Sequence, residues 1–487
     1  MAAEVLEADG ALAVAVADEV RDFALMNGLV MVPRGSAPGT GAHAPLTATP
    51  APFDAKNFAD AVALGPQFGA LYSRVAANAD FLGSALADSR RGDALFTGRL
   101  LGILEEVYGG SGARSGAQPA RLGLLRSDYL ADAGSGRLLQ VEMNTIASSF
   151  GCLGALTSQM HARVAGLFPE LGLDEGALPR NGSRTGLAAG IAAAHALWVG
   201  GAAEMGEAAA VCLMVVQPGE ANAFDQQHLA AELWDAHRVR VVRRSLRQLA
   251  DGGASIGGAS GDLVLASGER VSVAYFRAGY APEDYPGEDE WSARLMVERS
   301  SAIKCPAIDY HLAGAKKVQQ ALAVPGALEE VAGKEIFESG LADATFLRSS
   351  FAGLWPANDG DAIRTALESP GRYVLKPQRE GGGNNLYDGD LSAALGSMAQ
   401  DELRAYILMD RIAPAVHRSP ILRKGELFFV DSVSELGVFT TVLTKDGPVS
   451  ELAETRQAGH LLRTKSVTEA DGGVAAGVAV LDSPYLT

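Results

Sequence analysis

A glycine-rich segment, KPQREGGGNNLY, begins at Lys376 and carries residue types that bind anions. It follows a strand-like run, and its consecutive glycines 381–383 let backbone N–H groups curl around an anion without a Cβ in the way. Lys376 supplies a positive charge, Glu380 a carboxylate for Mg²⁺, and Asn384 and Asn385 neutral donors. The spacing is neither that of a Walker A loop nor G-x-G-x-x-G. The segment predicts a phosphate site of another kind; the alternative is a flexible surface loop.

A second segment, VEMNTIASSFG at 141–151, places two oxygen donors on one face of a predicted strand. Side chains alternate along a strand, so Glu142 and Asn144 point the same way. A carboxylate and an amide oxygen are hard ligands suited to Mg²⁺, which completes its shell with phosphates and water. The following Ala-Ser-Ser-Phe-Gly turn offers N–H and hydroxyl groups to a carboxylate. The pattern predicts a magnesium site; the alternative is a solvated strand face.

The C-terminal run at 459–482 combines cations with small residues. Arg463 and Lys465 alternate onto one face of a predicted short strand. The Ala/Gly-rich stretch after Asp471 is typical of a mobile loop that closes over a substrate and excludes water. The alternative is a low-complexity tail, although the ordered-looking VAVLDSPY that follows argues against it.

Two arginines stand at predicted strand ends beside turns, Arg126 in RSDY and Arg277 in FRAGY. An arginine in such a place can clamp a carboxylate or phosphate through two parallel hydrogen bonds. An arginine of this kind, taken alone, is more often an ordinary surface residue.

Four regions differ in their predicted elements. Residues 1–120 are predicted to be helical, and 121–206 to begin with two strands joined by a Gly/Ser turn. Residues 207–300 show strand–helix–strand spacing, which indicates a small α/β unit with a parallel pair. Residues 301–487 hold helices, the glycine-rich segment and further strands.

Local patterns refine this outline. Helices are predicted at 58–80 and 97–108, whereas 35–53 is predicted to be a Pro/Ala/Thr-rich loop. The tract at 109–120 is predicted to be flexible, and the glycine-rich stretch at 252–261 to be a surface loop.

Composition excludes several classes of protein. A chain of 487 residues exceeds one compact core, so several packed subdomains are expected. The formal net charge of −17 argues against nucleic-acid binding, which needs a basic footprint. Three scattered cysteines form no disulfide framework, which suits a reducing compartment. No apolar run is long enough to cross a membrane, and the acidic N-terminal stretch fits neither a secretory signal nor a mitochondrial transit peptide. We therefore expect a cytoplasmic protein without nucleic-acid or membrane partners.

Taken together, the segments resemble eukaryotic-type glutathione synthetase, a family of the ATP-grasp superfamily. The resemblance runs in the family's order from about Arg126 to the C-terminus, and the first ~120 residues match only loosely. It is carried by the following segments: LRSDY, VEMNTI, ANAFDQ, YFRAGY, IKCPAIDYHLAGAKKVQQ, VLKPQREGGGNNLY, YILMDRI, SELGVF, HLLRTK and ADGGVAAGVAVLD.

The resemblance implies an ATP- and Mg²⁺-dependent ligase that joins γ-glutamylcysteine to glycine through an acyl phosphate. It implies α+β and α/β architecture: an ATP-grasp fold with an inserted parallel α/β substrate-binding domain and a helical N-terminal region. It also implies a homodimer.

The resemblance also implies site residues, which are carried over position by position. The resemblance implies two Mg²⁺ ions that accompany ATP, and the implied metal ligands are Glu142, Asn144 and Glu380. The implied ATP contacts are Glu142, Lys304, Lys376, Glu380, Gly381, Gly382, Gly383, Asn384, Asn385, Tyr387, Met409, Asp410, Arg411, Ile412, Glu435, Lys465 and Asp471. The implied substrate contacts are Arg126, Ala147, Ser148, Ser149, Glu220, Asn222, Gln226, Arg277, Gly279, Tyr280, Arg463, Val474 and Ala475. Arg126 and Arg463 are the implied catalytic residues.

Some positions depart from the family's pattern. Ala147 replaces the first serine of a Ser-x-Ser turn, which predicts weaker dipeptide binding unless Ser148 or backbone N–H groups compensate. Asp410 and Arg411 replace Glu-Lys and keep both charges. The small residues Val474-Ala475-Ala476 resemble those of glycine-using enzymes, so glycine is favoured over β-alanine. A homoglutathione-type ligase and an inactive ATP-binding homologue are the alternatives.

Overall fold

The computed structural model describes residues 2–33, 35–37, 39–109, 118–201, 210–258, 260–379, 383–445, 452–469 and 472–487. In these ranges helices and strands alternate along the chain, and the strands form several separate sheets. The prediction of a mixed α and β architecture is therefore confirmed.

The helices of the described ranges vary from single turns to 23 residues. In chain order they are α1 (Ala2–Ala8), α2 (Gly10–Met26), α3 (Ala55–Ala77), α4 (Ala79–Ala85), α5 (Ala87–Gly92), α6 (Thr97–Tyr108), α7 (Gly151–Leu167), α8 (Ser183–Gly201), α9 (Ala223–His237), α10 (Leu246–Gln248), α11 (Glu288–Arg299), α12 (Ile308–Ala313), α13 (Lys316–Ala323), α14 (Ala327–Ala332), α15 (Lys334–Glu338), α16 (Ala344–Ser349), α17 (Gly360–Glu368), α18 (Asp388–Ser397) and α19 (Gln400–Leu403). Within these ranges, no helix is both long enough and apolar enough to cross a membrane.

The strands are mostly short, with a few long central ones. They are β1 (Val30–Met31), β2 (Ala42–His43), β3 (Leu46–Thr47), β4 (Ala51–Phe53), β5 (Arg121–Ala131), β6 (Leu138–Asn144), β7 (Ala210–Val215), β8 (Val241–Arg244), β9 (Ala254–Gly257), β10 (Asp262–Leu265), β11 (Arg270–Phe276), β12 (Ile303–Cys305), β13 (Leu354–Pro356), β14 (Tyr373–Pro377), β15 (Leu386–Tyr387), β16 (Tyr406–Asp410), β17 (His417–Arg423), β18 (Glu426–Thr444), β19 (Leu452–Ser466), β20 (Val480–Asp482) and β21 (Pro484–Leu486).

The largest sheet contains seven strands in the order β17-β3-β20-β19-β18-β5-β6. Its centre is antiparallel: β18 pairs with β19 on one side and with β5 on the other. The predicted strand pair at the start of region 121–206 is the antiparallel hairpin β5–β6. This sheet carries most of the charged site described below.

Helices cover both faces of this sheet, because side chains alternate along β18. On one face α3 approaches so closely that a Cβ at Gly69 would lie 2.7 Å from Thr455 Oγ1. On the other face α8 approaches equally closely, since a Cβ at Gly190 would lie 2.8 Å from the Thr441 side chain. Glu435 lies an even number of residues before Thr441 and shares its face. The side chains around Glu435 therefore project on the α7–α8 side of the sheet.

A second sheet is built from the 207–300 region. Strands β8, β7, β11 and β12 are parallel neighbours, and α9 connects β7 to β8. The predicted strand–helix–strand unit with a parallel pair is confirmed. The sheet continues into β12, which lies just beyond residue 300.

A third, four-stranded antiparallel sheet has the order β13-β16-β14-β15. It has its own small apolar core, centred on Leu375, Leu391 and Leu408, beneath α17 and α18. Its strands present Lys376 and Met409 towards the seven-stranded sheet across a cleft.

Two loop predictions were wrong. The 35–53 segment contains β2, β3 and β4; β3 pairs with β17 and β20, and β4 pairs with the C-terminal β21. The 252–261 stretch contains β9, which pairs with β10. Distant strands supply the backbone partners of β3 and β4, whereas β9 and β10 form a local hairpin around the glycine-rich turn.

Candidate active site

A cleft of about 930 Å³ lies between the seven-stranded and four-stranded sheets. Its size suits a nucleotide-sized ligand. The predicted site residues that line it are Arg126, Glu142, Asn144, Ala147, Ser149, Tyr280, Lys376, Asn385, Tyr387, Met409, Asp410, Arg411, Ile412, Glu435, Arg463, Lys465, Val474 and Ala475. The structure thus brings together residues that are more than 300 positions apart in the chain.

Strand register places the charged side chains of the cleft floor next to one another. On β5 and β6, Arg126 lies opposite Asn144 and Asp128 lies opposite Glu142. On β18 and β19, Glu435 lies opposite Arg463. Directly opposed residues of antiparallel strands project from the same face, so the strand pairings alone assemble this cluster.

The two arginines of the floor share one buried carboxylate. Arg126 donates from Nε and Nη2 to the two oxygens of Asp128, at 2.7 and 2.8 Å. Arg463 donates from Nη2 to Asp128 Oδ2 at 2.8 Å and also contacts Glu435 Oε1. Arg126 Nη1 donates to the backbone oxygen of Ser149 at 3.2 Å, which links the floor to the turn before α7.

Glu142 is held ionised by surrounding cations. Removal from bulk water raises the pKa of Glu142, but the positive charges of Lys316, Lys376, Arg463 and Arg126 outweigh this and lower the pKa to about 2. Lys316 Nζ lies 3.4 Å from Glu142 Oε2. The carboxylate is therefore anionic at every pH at which the protein is handled.

The pKa values of Arg463 and Glu435 are both raised, in contrast to that of Glu142. Burial lowers the pKa of Arg463, but the charges of Glu435, Asp128 and Glu142 more than reverse this, so its pKa is raised above the ordinary value. Burial raises the pKa of Glu435, and the Asp128 and Glu142 charges add to this effect against the opposing charge of Arg463. Arg463 is therefore a permanent cation held between carboxylates.

The opposite wall of the cleft comes from the four-stranded sheet. Lys376 on β14 donates from Nζ to the backbone oxygen of Val141, on β6, at 3.1 Å, so it bridges the two walls. Met409 and Ile412 give this wall an apolar surface, and the Arg411 guanidinium lies over the Tyr387 ring, 5.4 Å from its centroid. An apolar slot beside a row of cations suits a planar base joined to phosphates.

A cluster of buried polar side chains around Asp225 and Arg277, called the second pocket below, adjoins the floor at the N-terminus of α7. The Asp225 carboxylate accepts backbone N–H groups of Phe150 and Cys152, each at 2.9 Å, and the Arg277 guanidinium at 3.1 Å. Asp225 therefore fixes Arg277 against the helix end. Tyr280 and Phe150 line both this pocket's edge and the main cleft.

Polar side chains in the second pocket are connected by hydrogen bonds. Glu220 accepts from the backbone N–H of Asn222 at 2.9 Å and from Gln226 Nε2 at 3.3 Å. Arg243 Nη2 donates to Gln226 Oε1 at 2.6 Å. Gly279 adopts φ 91°, and a Cβ there would lie 2.8 Å from the Tyr285 hydroxyl, so this turn requires glycine.

Buried polar atoms in the second pocket lack partners. Asn222 is 2% exposed, and neither its Oδ1 nor its Nδ2 has a hydrogen-bond partner among the described residues. The same holds for Nε of Arg277 and Nε of Arg243. Unsatisfied buried donors and acceptors are costly, so their clustering indicates a polar ligand that carries both acceptors and donors.

Several predicted residues lie outside the main cleft. Glu220, Asn222, Gln226, Arg277 and Gly279 belong to the second pocket. Ser148 donates to the backbone oxygen of Asn144 at 3.2 Å, and Gly383 and Asn384 do not contribute to the lining. Glu380, Gly381, Gly382 and Asp471 lie outside the described residues.

The structure places Lys304 away from both pockets, contrary to its predicted contact with ATP. Its side chain is 1% exposed and donates to the backbone oxygen of Ser300 at 2.8 Å. Burial lowers the pKa of Lys304 to about 7, against the opposing charge of Glu298. The lysine beside the cleft is Lys316, at the start of α13.

Sequence reasoning missed three contributors, namely Asp128, Asp225 and Lys316. Each lies within a segment that carries the family resemblance, in LRSDY, ANAFDQ and GAKKVQQ. Asp128 had a usable signal, since it stands two residues after Arg126 on the same strand face. Lys316 had none, because only the tertiary fold brings it to Glu142.

The donor set of the floor fits a magnesium ion. Glu142 is ionised, and Asn144 donates from Nδ2 to Asp128 Oδ2 at 2.9 Å, which leaves its amide oxygen for another partner. Two hard oxygen donors on one strand face match the few protein ligands that Mg²⁺ takes beside phosphate and water.

Comparison with known proteins gives one consistent result. The family model described as "Eukaryotic glutathione synthase, ATP binding domain" matches residues 12–486. The chloroplastic glutathione synthetase of Solanum lycopersicum is 40% identical over 462 residues, covering 93% of this chain and 79% of the relative. The glutathione synthetase of Homo sapiens is 40% identical over 455 residues, covering 91% of this chain and 90% of the relative. The glutathione synthetase of Dictyostelium discoideum is 35% identical over 486 residues, covering 96% of this chain and 97% of the relative.

A solved structure has the same overall fold. A glutathione synthetase-like effector from Globodera pallida in its apo form superimposes with a TM-score of 0.75, covering 98% of each chain, at 23% identity.

Proposed function

Because this chain belongs to the eukaryotic glutathione synthase family, we propose that its cleft and adjoining pocket join γ-glutamylcysteine to glycine with the use of ATP. The chain functions as a glutathione synthetase, an ATP-dependent ligase that forms a peptide bond. The proposal concerns how the described residues perform this reaction. The observation that carries it is the cluster of two arginines, Glu142 and Asn144 facing Lys376 across one cleft.

The reaction proceeds in two steps, phosphorylation of a carboxylate and then attack by an amine. An oxygen of the cysteinyl carboxylate attacks the γ-phosphorus of ATP, the bond to the β-phosphate oxygen breaks, and an acyl phosphate and ADP form. The amine of glycine then attacks the acyl carbon, loses a proton, and expels inorganic phosphate. Activation is required because a carboxylate is a poor electrophile, and charge repulsion between carboxylate and triphosphate must be screened.

Cations of the floor provide that screening. Arg126 is held by Asp128 through one edge of its guanidinium and by the Ser149 backbone oxygen through Nη1, so its positive charge is fixed where the substrate carboxylate would bind. Arg463, between Asp128 and Glu435, faces the transferring phosphoryl group and the glycine carboxylate. Both groups are fixed before substrate binds, which favours the charge distribution of the transition state.

Glu142, Asn144 and, from the family resemblance, Glu380 are the proposed magnesium ligands. These residues would hold Mg²⁺, which when bound would neutralise negative charge on the ATP phosphates. Lys376 supports the phosphates from the opposite wall, and Lys465 supports them from β19, on the side of the floor. Met409 to Ile412 pack around the base.

The dipeptide occupies the second pocket. Its γ-glutamyl head carries an α-carboxylate and an α-ammonium group. Asn222 and Arg277 supply the buried donors whose partners are missing, and Glu220 supplies an acceptor for the ammonium group. The cysteinyl end then extends past Ser149 and Tyr280 to the floor, where Arg126 lies.

Glycine is the proposed acceptor. Val474 and Ala475 line the cleft, and small side chains there suit the smallest amino acid. The alternative acceptor is β-alanine. The inactive-homologue alternative is disfavoured because Glu142, Asn144, Lys376 and Arg463 are all retained and, together with Glu435, meet in one cleft.

Other features remain proposals drawn from the resemblance. They are the ATP-grasp fold, a division into regions 1–120, 121–206, 207–300 and 301–487, and a homodimer. A cytoplasmic location also remains a prediction, and the relatives include chloroplastic forms.

The function is tested by measuring ADP release with ATP, Mg²⁺ and γ-glutamylcysteine in the presence of glycine, β-alanine or no acceptor. We expect turnover that requires both dipeptide and glycine, with a preference over β-alanine of about tenfold or more, as one extra methylene allows. Mass spectrometry identifies the tripeptide. Turnover with β-alanine alone would identify the homoglutathione-type activity, and no turnover by folded, ATP-binding protein would refute the ligase proposal.

A further inference from the structure

Asp128 is a buried carboxylate at the centre of the cleft floor. It lies on β5 between Glu142 of β6 and Gly437 of β18, and it is 0% exposed. It does not itself line the cleft. Its effect on the reaction must therefore be exerted through the side chains that it contacts.

Both arginines of the floor are held by this carboxylate. Arg126 binds it with the Nε–Nη2 edge, at 2.7 and 2.8 Å, while its Nη1 donates to the backbone oxygen of Ser149. Arg463 Nη2 donates to the same Oδ2 atom at 2.8 Å. A bidentate contact fixes both the position and the plane of a guanidinium, which a single contact does not.

Asp128 also determines the orientation of an amide. Asn144 Nδ2 donates to Asp128 Oδ2 at 2.9 Å. An ionised carboxylate only accepts hydrogen bonds, so the amide nitrogen of Asn144 must face it and the amide oxygen must face away. This orientation directs the Asn144 oxygen, rather than its NH₂ group, towards a metal ion.

Strand β18 leaves space for the Arg126–Asp128 pair because it carries a glycine, Gly437, beside it. A Cβ at Gly437 would lie 2.8 Å from Asp128 Oδ1 and 2.8 Å from Arg126 Cδ. The backbone of Gly437 is not in a left-handed conformation, so close packing alone requires glycine here. The Arg126–Asp128 pair therefore lies flat across β18 and occupies the place of a side chain.

We propose that Asp128 is a positioning residue that presents Arg126, Arg463 and the Asn144 oxygen to the substrates and the metal ion. The inference rests on the proposed function. Partners behind a metal ligand set its orientation, and their loss usually costs 10–100-fold in metal affinity or activity. A single carboxylate here supports one metal ligand and two catalytic arginines at once.

The first test replaces Asp128 with asparagine, which keeps the shape but removes the charge. Its NH₂ group would face the donors of Arg126, Arg463 or Asn144. We expect kcat to fall about 30-fold and the Mg²⁺ concentration for half-maximal rate to rise about tenfold. Calorimetry without metal or ATP should also show weaker γ-glutamylcysteine binding, because Arg126 is no longer fixed.

Asp309→Asn is the matched control. Asp309 accepts from Arg121 Nε at 2.9 Å, so it forms another buried Asp–Arg pair, and Arg121 is on the same strand as Asp128. Its loss should lower the melting temperature while leaving kcat and the Mg²⁺ dependence of the folded enzyme unchanged. Equal kinetic losses in the two variants would assign Asp128 a merely structural role and overturn the proposal.

Gly437→Ala tests the same contact without removing charge. Its methyl group displaces the Arg126–Asp128 pair, so the same fall in kcat and the same Mg²⁺ shift are expected. If Asp128→Asn does not fold, Gly437→Ala still tests the positioning role of Asp128. Wild-type kinetics in either folded variant would refute the positioning role while leaving the ligase activity of the unmodified chain intact. An inactive wild-type chain would instead refute the proposed function.

Discussion

Replacement of Arg463 by lysine is expected to lower kcat by about a thousandfold, the effect of losing a fixed donor at a developing charge. Arg463 spans Asp128 and Glu435 with a planar, permanently charged group. Lysine keeps one positive charge but cannot reach two carboxylates and a phosphoryl or carboxylate oxygen in fixed directions. The KM for ATP should change only a few-fold, because Lys376 and residues 409–412 hold ATP from the opposite wall in this account.

Steady-state kinetics at saturating substrates measure this effect, and the melting temperature verifies folding. Arg418→Lys is the matched control, since Arg418 on β17 forms exposed contacts with Glu7 and Asp431 and does not line the cleft. It should retain full activity. A loss smaller than tenfold in Arg463→Lys would show that the guanidinium geometry does not contribute to the chemical step.

Replacement of Glu142 by glutamine is expected to lower kcat/KM for ATP by about a thousandfold, or about 4 kcal/mol. The carboxylate has a pKa of about 2 and is therefore anionic across the working pH range. Glutamine retains an oxygen donor but leaves the four surrounding cations without their central counter-charge. Mg²⁺ binding with ATP should weaken, since a neutral amide is a poorer ligand than a carboxylate.

Turnover as a function of Mg²⁺ concentration, with calorimetric titration of ATP at fixed Mg²⁺, measures both consequences. Glu105→Gln is the control, because Glu105 pairs with Arg90 on the protein surface. It should behave as wild type. Activity within threefold of wild type for Glu142→Gln at saturating Mg²⁺ would contradict a metal-binding role for this carboxylate.

The site was predictable where a local pattern determines geometry. Glu142 and Asn144 are two residues apart on a strand, so their shared face follows from the backbone period alone. The same argument placed Arg463 and Lys465 together, and both line the cleft. Strand β19 is longer than predicted, because its pairing with β18 extends over 15 residues.

Contacts between distant segments were not predictable from local pattern. Lys316 is 174 positions from Glu142 and approaches it only after α13 packs against β6. The resemblance assigned Lys304 to ATP, yet its strand β12 extends the other sheet, where the side chain is buried. Likewise, β3 and β4 find their partners more than 370 residues away, which no window of local sequence reveals.

The activation step can be followed directly by isotope transfer. γ-Glutamylcysteine labelled with ¹⁸O in both cysteinyl carboxylate oxygens is incubated with ATP, Mg²⁺ and glycine, and the products are analysed by mass spectrometry. The account predicts glutathione with one ¹⁸O in the new amide carbonyl and inorganic phosphate with the other. Unlabelled phosphate accompanying glutathione formation would contradict the acyl-phosphate route, and the absence of glutathione would contradict the assigned function itself.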